Sequence, residues 1–317
     1  MNKKPLIILT GPTSVGKTAL SIALAKAVDG EIISADSMQV YRHMDIGTAK
    51  ISPEEMEGVP HYLIDELEPE EEFNVVRFKQ LSRHYMERIY ARNKLPILVG
   101  GTGFYIQAIL YDIDFTQNET DTAYRSYLEQ LIKEHGGDHL YQLLKEQDPE
   151  SAAVIHPNNL KRVIRALEYL KLTGDKISRH NEEQRGKESP YNFCYFVLNR
   201  DRSKLYETIN RRVDKMLSDG LLEEVKELAA RGCTRDLVSM QGLGYKELLA
   251  CLDGECTLVE AVDNLKRDTR HFAKRQLTWF KREKDVIWID KDDYSSEGEL
   301  LAYILSVLEE KAILSRS

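Results

Sequence analysis

Apolar positions in the first third of the chain fall in short unbroken runs separated by amphipathic stretches. That is the pattern of buried parallel strands alternating with helices. Leu6–Leu9, Glu31–Ala35 and Pro96–Val99 read as strands, and Lys17–Val28 and Val75–Asn93 as helices. Near Phe115 the alternation stops: Thr116 to Asp121 is polar, and helices broken at Gly136-Gly137 and Pro149 follow. Within them, Lys161–Leu172 carries Val163, Ile164, Leu167 and Leu170 at helical spacing, with arginines between. Glu182–Pro190 reads as a charged, turn-rich linker, after which Asn192–Leu198 returns to strand character. Lys204–Ala230 puts Leu205, Ile209, Val213, Leu217, Leu221, Val225 and Leu228 on one face. Helices near Gln241–Leu252 and over Leu258–Arg282 and a last strand at Val286–Ile289 complete the pattern. The expected fold is α/β, a parallel-sheet core of residues 1–115 and 191–317 interrupted by an all-helical insertion, 116–190.

Length and composition fit that picture. The chain has 317 residues, 42% apolar and 30% charged, enough for a full α/β core and one further domain. No apolar run approaches a membrane span, and Leu6–Leu9 is too short for a signal-peptide core, so a cytoplasmic protein is expected. Cys194, Cys233, Cys251 and Cys256 form no C-x-x-C pair and read as free thiols. The net charge of −8 argues against indiscriminate nucleic-acid binding, and Asp65 to Glu72 reads as a solvated acidic loop. Charge is uneven, however. Leu265 to Lys284 holds eight Lys/Arg against two acids, with His271, Phe272, Trp279 and Phe280 interleaved; Lys161 to Lys187 holds eight against four. One such cluster is an ordinary exposed helix face, whereas two suggest a polyanionic partner.

Chemistry enters at the first strand–helix junction. Gly11-Pro12-Thr13-Ser14-Val15-Gly16-Lys17-Thr18 fits G-x-x-x-x-G-K-[ST] at every defined position. Glycines let successive N–H groups converge on one anion, and the helix N-terminus adds partial positive charge. Lys17 supplies an ammonium, and the Thr18 hydroxyl is placed to ligate Mg²⁺. The loop is read as binding a di- or triphosphate. Two later loops also follow strands, at the edge where a parallel sheet presents reactive groups. In Ser34-Ala35-Asp36-Ser37-Met38-Gln39 a carboxylate ends a strand; the Asp36/Gln39 spacing suits a helix capping box as well as a catalytic role, and both stay open. Gly100-Gly101-Thr102-Gly103 is either a tight turn into a helix or a close backbone approach to a ligand. The strand before it ends without the carboxylate that usually holds Mg²⁺ in phosphate-loop ATPases, which weakens a hydrolase reading, although Asp36 could hold the metal.

Taken in order, GPTSVGKT, SADSMQVYR with GTAK, GGTGFY, KRVIRALE, QGLGYKE and KRQLTWF resemble the bacterial tRNA dimethylallyltransferases, the tRNA isopentenyl transferase family. The resemblance covers nearly the whole chain. It implies a P-loop NTPase-like core whose loop holds dimethylallyl diphosphate instead of ATP, with Mg²⁺ as cofactor. The implied acceptor is the exocyclic amine of the adenosine on the 3′ side of the anticodon, in tRNAs reading codons that begin with U. Carried over by motif, Gly11, Thr13, Ser14, Val15, Gly16, Lys17 and Thr18 cradle the diphosphate with Arg212, and Thr18 meets the metal. Asp36 corresponds to the general base, with Thr102 and Arg212 beside it in catalysis. Contacts to tRNA are implied for Asp36, Ser37, Met38, Gln39, Thr102 and Arg125. They are also implied for Lys161, Arg162, Val163, Ile164 and Arg165, for Gly242, Gly244, Tyr245 and Lys246, and for Lys274, Arg275, Gln276, Trp279 and Lys281. A monomer without an obligate protein partner is expected.

The reaction itself calls for these groups. An adenine amine is a poor nucleophile and needs a carboxylate to take its proton, and an ordinary aspartate is ionised near pH 7. Breaking an allylic C–O bond puts charge on diphosphate, which Lys17, Arg212, Mg²⁺ and backbone N–H groups would stabilise. The target base must also leave its stack, which is easier from a loop than from a duplex. Two other readings remain: a small-molecule kinase with 116–190 as its lid, and an RNA-binding module with an inactive nucleotide site.

Overall fold

A computed structural model describes residues 3–115 and 122–314; the polar stretch Thr116–Asp121 lies outside the described residues. The chain divides into two compact units, one of Met1–Leu110 with Pro190–Ser317, the other of Tyr111–Ser189.

In the first unit the elements run β1 (Lys4–Thr10), α1 (Lys17–Ala27), β2 (Gly30–Ser34), β3 (His61–Tyr62), α2 (Val75–Ala91), β4 (Leu95–Gly100) and α3 (Gly103–Leu110). The second unit holds α4 (Thr122–His135), α5 (Gly137–Gln147), α6 (Pro149–Val154), α7 (Leu160–Thr173) and α8 (Ile177–Arg185). The first unit resumes with β5 (Tyr191–Asn199), α9 (Arg202–Ser218), α10 (Leu221–Ala230), α11 (Tyr245–Leu252), α12 (Leu258–Phe280), β6 (Val286–Asp290) and α13 (Glu297–Glu310).

The six strands form one sheet in the order β3-β2-β4-β1-β5-β6, with every pairing parallel. β1 is flanked on both sides, with Leu9 paired to Val99 of β4 and to Phe196 of β5. This explains its unbroken apolar run: helices cover both faces of a central parallel strand, so Leu6, Ile7, Ile8 and Leu9 are all buried. Burial of each contributes about 1.5–3 kcal/mol. Among the described residues no helix is long and apolar enough to cross a membrane.

The second unit has its own core, built on Leu128, Leu140, Leu144, Val163 and Leu167. Asp148 closes it locally. Its carboxylate accepts the Ser151 N–H at the start of α6 and both the N–H and hydroxyl of Ser178 in α8. These hydrogen bonds hold the Asp148 carboxyl below the usual range, although burial pushes the other way.

Three sequence expectations need correcting. Lys204–Ala230 is two helices, because Gly220 between them takes φ 104°, a conformation that glycine adopts without the Cβ penalty. The shared apolar face survives the break, which is why periodicity alone does not reveal it. Glu182–Pro190 is partly helical, since α8 runs to Arg185. α13 is an element that the pattern does not predict: Leu300, Ile304, Val307 and Leu308 lie on one face of a helix that packs against α1.

Candidate active site

Loops at the carboxyl ends of β1, β2 and β4 converge, and two helices from late in the chain close on them. After β1, Gly11 takes φ 145°, and a Cβ there would come within 2.5 Å of the Leu198 carbonyl oxygen of β5. The loop can therefore lie flat against the neighbouring strand only with glycine at this position. Lys17 opens α1, and its ammonium donates to the Gly11 and Pro12 carbonyls at 2.9 Å each. Burial, reinforced by Arg212 and opposed by Asp36, brings the Lys17 pKa down to about 7. Arg212, from α9, donates to the Ser14 hydroxyl at 3.4 Å. Burial lowers its pKa too, again against the pull of Asp36. Two cations and one carboxylate from three separate elements thus share one electrostatic environment.

Asp36 follows β2. No helix starts there, so the capping-box reading falls: its Oδ1 accepts the Met38 N–H at 2.8 Å in a two-residue side-chain turn. The Gln39 amide is likewise taken up inside its own loop, accepting from Ser34 and donating to the Thr48 and Ala49 carbonyls. Thr102 lies alongside, its N–H donating to the Ala35 carbonyl at 3.1 Å. Thr102 and Asp36 are therefore neighbours because β2 and β4 are paired. Tyr105, one turn later, is stacked on Phe78, and burial together with neighbouring Tyr41 and Asp36 raises its phenol well above the ordinary value.

GTAK and QGLGYKE meet through a residue that no sequence motif selects. Glu224 of α10 accepts the N–H groups of Asp45, Ile46 and Gly47 at 2.9, 2.7 and 3.1 Å, and the Tyr245 hydroxyl at 2.7 Å. Three convergent backbone donors become visible only in the fold. Glu224→Ala is expected to lower stability by about 2 kcal/mol. A urea midpoint that falls with unchanged slope would record this.

α12 supplies the other wall. Its first turn is fixed by a Thr257/Glu260 capping box. Gln276 is buried and bridges two loops, accepting the Thr13 N–H and donating to the Gly101 carbonyl, both at 2.9 Å. His271, Lys274, Arg275, Thr278 and Trp279 of this helix, with Arg282 just past its end, line a cleft. Just beyond the helix, burial pushes the Glu283 carboxyl up to about 7, with a smaller opposing effect of the Trp279 indole.

The IPP transferase family matches this chain over residues 39–283. The chain belongs to the IPP transferase family. It is 65% identical over 311 residues to the tRNA dimethylallyltransferase of Lachnoclostridium phytofermentans, spanning 98% of this chain and 99% of that one. The crystal structure of the full-length tRNA isopentenylpyrophosphate transferase from Bacillus halodurans resembles it with a TM-score of 0.72, 47% identity and 98% of each chain covered. A eukaryotic dimethylallyltransferase, seen in crystallographic snapshots acting on tRNA, gives a TM-score of 0.81 at 30% identity, over 97% of this chain and 80% of that one. The fold is accordingly P-loop NTPase-like, as the family resemblance implied.

For an IPP transferase, the remaining motif residues divide by exposure. Lys161, Arg162 and Arg165 stand exposed on α7, whereas Val163 and Ile164 between them are buried in the core of the second unit. Arg125 in that unit is held by the buried Glu168 through two hydrogen bonds, at 2.8 and 2.9 Å. In the first unit Lys274, Arg275 and Lys281 are exposed, but Gly242, Gly244, Tyr245 and Gln276 are buried. Lys246 is part-exposed beside Glu247. The buried members of the expected RNA-contact set thus lie in the framework beneath these surface residues.

The metal question turns on Thr18. Its side chain is exposed in the first turn of α1, next to Lys17. Among the described residues no three His, Cys, Asp or Glu gather as a metal cage. That is compatible with Mg²⁺, which characteristically keeps several waters and binds through one or two protein oxygens plus phosphate oxygens. The residues present fit such an ion.

Proposed function

We propose that this protein transfers the dimethylallyl group of dimethylallyl diphosphate to the exocyclic amine of the adenosine 3′-adjacent to the anticodon. Its acceptors are tRNAs reading codons that begin with U, and it works as a cytoplasmic monomer. The observation that carries the reading is the Asp36 carboxylate at the end of β2, in the electrostatic environment of Lys17 and Arg212 beside a phosphate loop. A base and an anion receiver side by side are what alkylation of a weak nitrogen nucleophile requires.

In the reaction the amine nitrogen bonds to C1 of the allyl group. The C1–O bond breaks and its electron pair leaves on the diphosphate. Asp36 receives the N–H proton, as a general base does for a nucleophile whose lone pair is delocalised. Lys17, Arg212 and the Ser14–Thr18 backbone receive the developing negative charge, a preorganised arrangement in which one donor is worth about 3 kcal/mol. Mg²⁺, held by Thr18 and phosphate oxygens, would supply further charge neutralisation. Thr102, tethered to Ala35, borders the reacting base, while the exposed basic residues of α7 and α12 each offer contacts to RNA phosphates.

Carbon-labelled dimethylallyl diphosphate incubated with unmodified tRNA and Mg²⁺ tests the reaction. Label appearing at that adenosine supports the reading. Phosphate transfer from γ-labelled ATP to a small acceptor, with no carbon in tRNA, would replace it by a kinase. For the RNA surface, neutralising Lys274 and Arg275 should weaken tRNA binding and flatten the salt dependence by about 0.7–0.9 for each phosphate left without its cation. Fluorescence anisotropy across a salt series reads the slope directly, and the donor Kd should stay where it was.

A further inference from the structure

Gln276 lies 263 residues from Thr13 and 175 from Gly101 in sequence, yet its amide is hydrogen-bonded to both at 2.9 Å. It is 6% exposed, so RNA has little of it to touch. Its two partners belong to the loop after β1 and the loop after β4, which carry the phosphate-binding residues and Thr102. Resting on the functional reading above, we propose that Gln276 is a positioning residue of the donor site, whose side-chain amide sets the spacing between the diphosphate loop and the Thr102 loop.

Several observations converge on that role. Glutamine carries an acceptor and a donor on one rigid planar group, and this bridge uses one of each: Oε1 takes the Thr13 N–H and Nε2 gives to the Gly101 carbonyl. The position opposite is matched to it, since a Cβ on Gly101 would lie 2.1 Å from Nε2. Three residues along the same helix face, Trp279 fits in the same way, with its Cδ1 2.2 Å from where a Gly103 Cβ would be. Two glycines of the GGTG loop therefore provide a seat for α12. The bridge also takes the Thr13 N–H away from the anion, as the Pro12 carbonyl takes that of Val15, so the anion is left to the other amides of the loop. The helix that holds the bridge presents Lys274 and Arg275 outward, so one element carries both an RNA-facing surface and the support of the donor loop.

The test compares Gln276→Met and Gln276→Glu with the unaltered protein in three measurements. These are the Kd of inorganic diphosphate by calorimetry, steady-state prenyl transfer, and tRNA affinity across a salt series. Methionine fills the space and loses both hydrogen bonds; glutamate still accepts from Thr13 but sets a carboxylate oxygen against the Gly101 carbonyl. The expected result for both is a diphosphate Kd raised about 10-fold and kcat lowered about 10- to 100-fold, since misplacing reacting groups by about 1 Å can cost about 100-fold. The tRNA Kd and its salt slope should be unchanged.

Gly101→Ala presses on the same bridge from the other side and should reproduce the split. Combined with Gln276→Met it should add little, because the two changes break one bridge. Loss of tRNA affinity with donor binding intact would return Gln276 to the RNA-contact set. A fall in folded fraction that leaves the diphosphate Kd and KM of the remaining protein unaltered would reduce it to a core residue. Failure of the unaltered protein to prenylate tRNA would sink the functional reading, whereas the diphosphate Kd reports on the bridge whatever the acceptor is.

Discussion

Asp36→Asn should lower the rate of the chemical step by about 10²–10⁴, the contribution of a positioned general base, and leave tRNA affinity within a few-fold. Asparagine keeps the size of the side chain and can still accept the Met38 N–H that holds the turn, so the loop geometry survives. What it lacks is a site for the proton that leaves the adenine amine. Because the proton moves only as the C–N bond forms, the loss should fall on kcat and leave donor binding in place. Single-turnover transfer with saturating donor and tRNA separates the cases. A large fall in tRNA affinity with kcat intact would make Asp36 a structural turn residue.

A second large effect is expected at Lys17. Its ammonium is folded onto the Gly11 and Pro12 carbonyls, and burial brings its pKa to about 7. A diphosphate bound beside it restores the preference for the charged form, so binding near pH 8 should take up close to one proton. Calorimetry in buffers of different ionisation enthalpy measures that uptake. Comparison with Lys17→Arg, charged throughout, removes protons contributed by the ligand itself. Equal uptake in both proteins would locate the proton elsewhere. Lys17→Met, which deletes the charge, should lower kcat/KM by about 10²–10³. The same group shapes the stability of the fold. The unfolded chain holds the Lys17 proton up to its ordinary value of 10.5, whereas the folded chain releases it near 7. Between those values the unfolded state binds more protons, so this group makes stability rise with pH across that window.

Much of this site is legible in the sequence because the chemistry is written in contiguous stretches. The phosphate loop lies between an apolar run and a helix, and the strand ends at Ser34 and Gly100 mark where side chains reach the carboxyl edge of the sheet. Periodicity recovers the central strands because burial on both faces leaves them short, mostly apolar runs. What the sequence conceals is long-range. Glu224 looks like any acid on an amphipathic helix until three N–H groups converge on it. Gln276, in a basic stretch, reads as part of an RNA surface, yet its helix turns that residue inward. The break at Gly220 and the presence of α13 escape the pattern because an apolar stripe records which face is buried and not where the backbone turns.

The order in which the phosphate loop acquires its supports has a consequence for synthesis on the ribosome. Its residues are among the first made, but the β5 carbonyl against which Gly11 rests belongs to Leu198, and the side chain that fixes Thr13 belongs to Gln276. At about 5–20 residues per second, the 263-residue gap between Thr13 and Gln276 corresponds to roughly 13–50 s of translation. Until β5 has been made β1 lacks a partner on one side, and until α12 has been made the G-x-x-x-x-G-K-T sequence lacks the side chain that fixes Thr13. A nascent or prematurely terminated chain that stops before α12 therefore carries the signature of an anion site without its support. Such fragments should not compete with the finished protein for diphosphate.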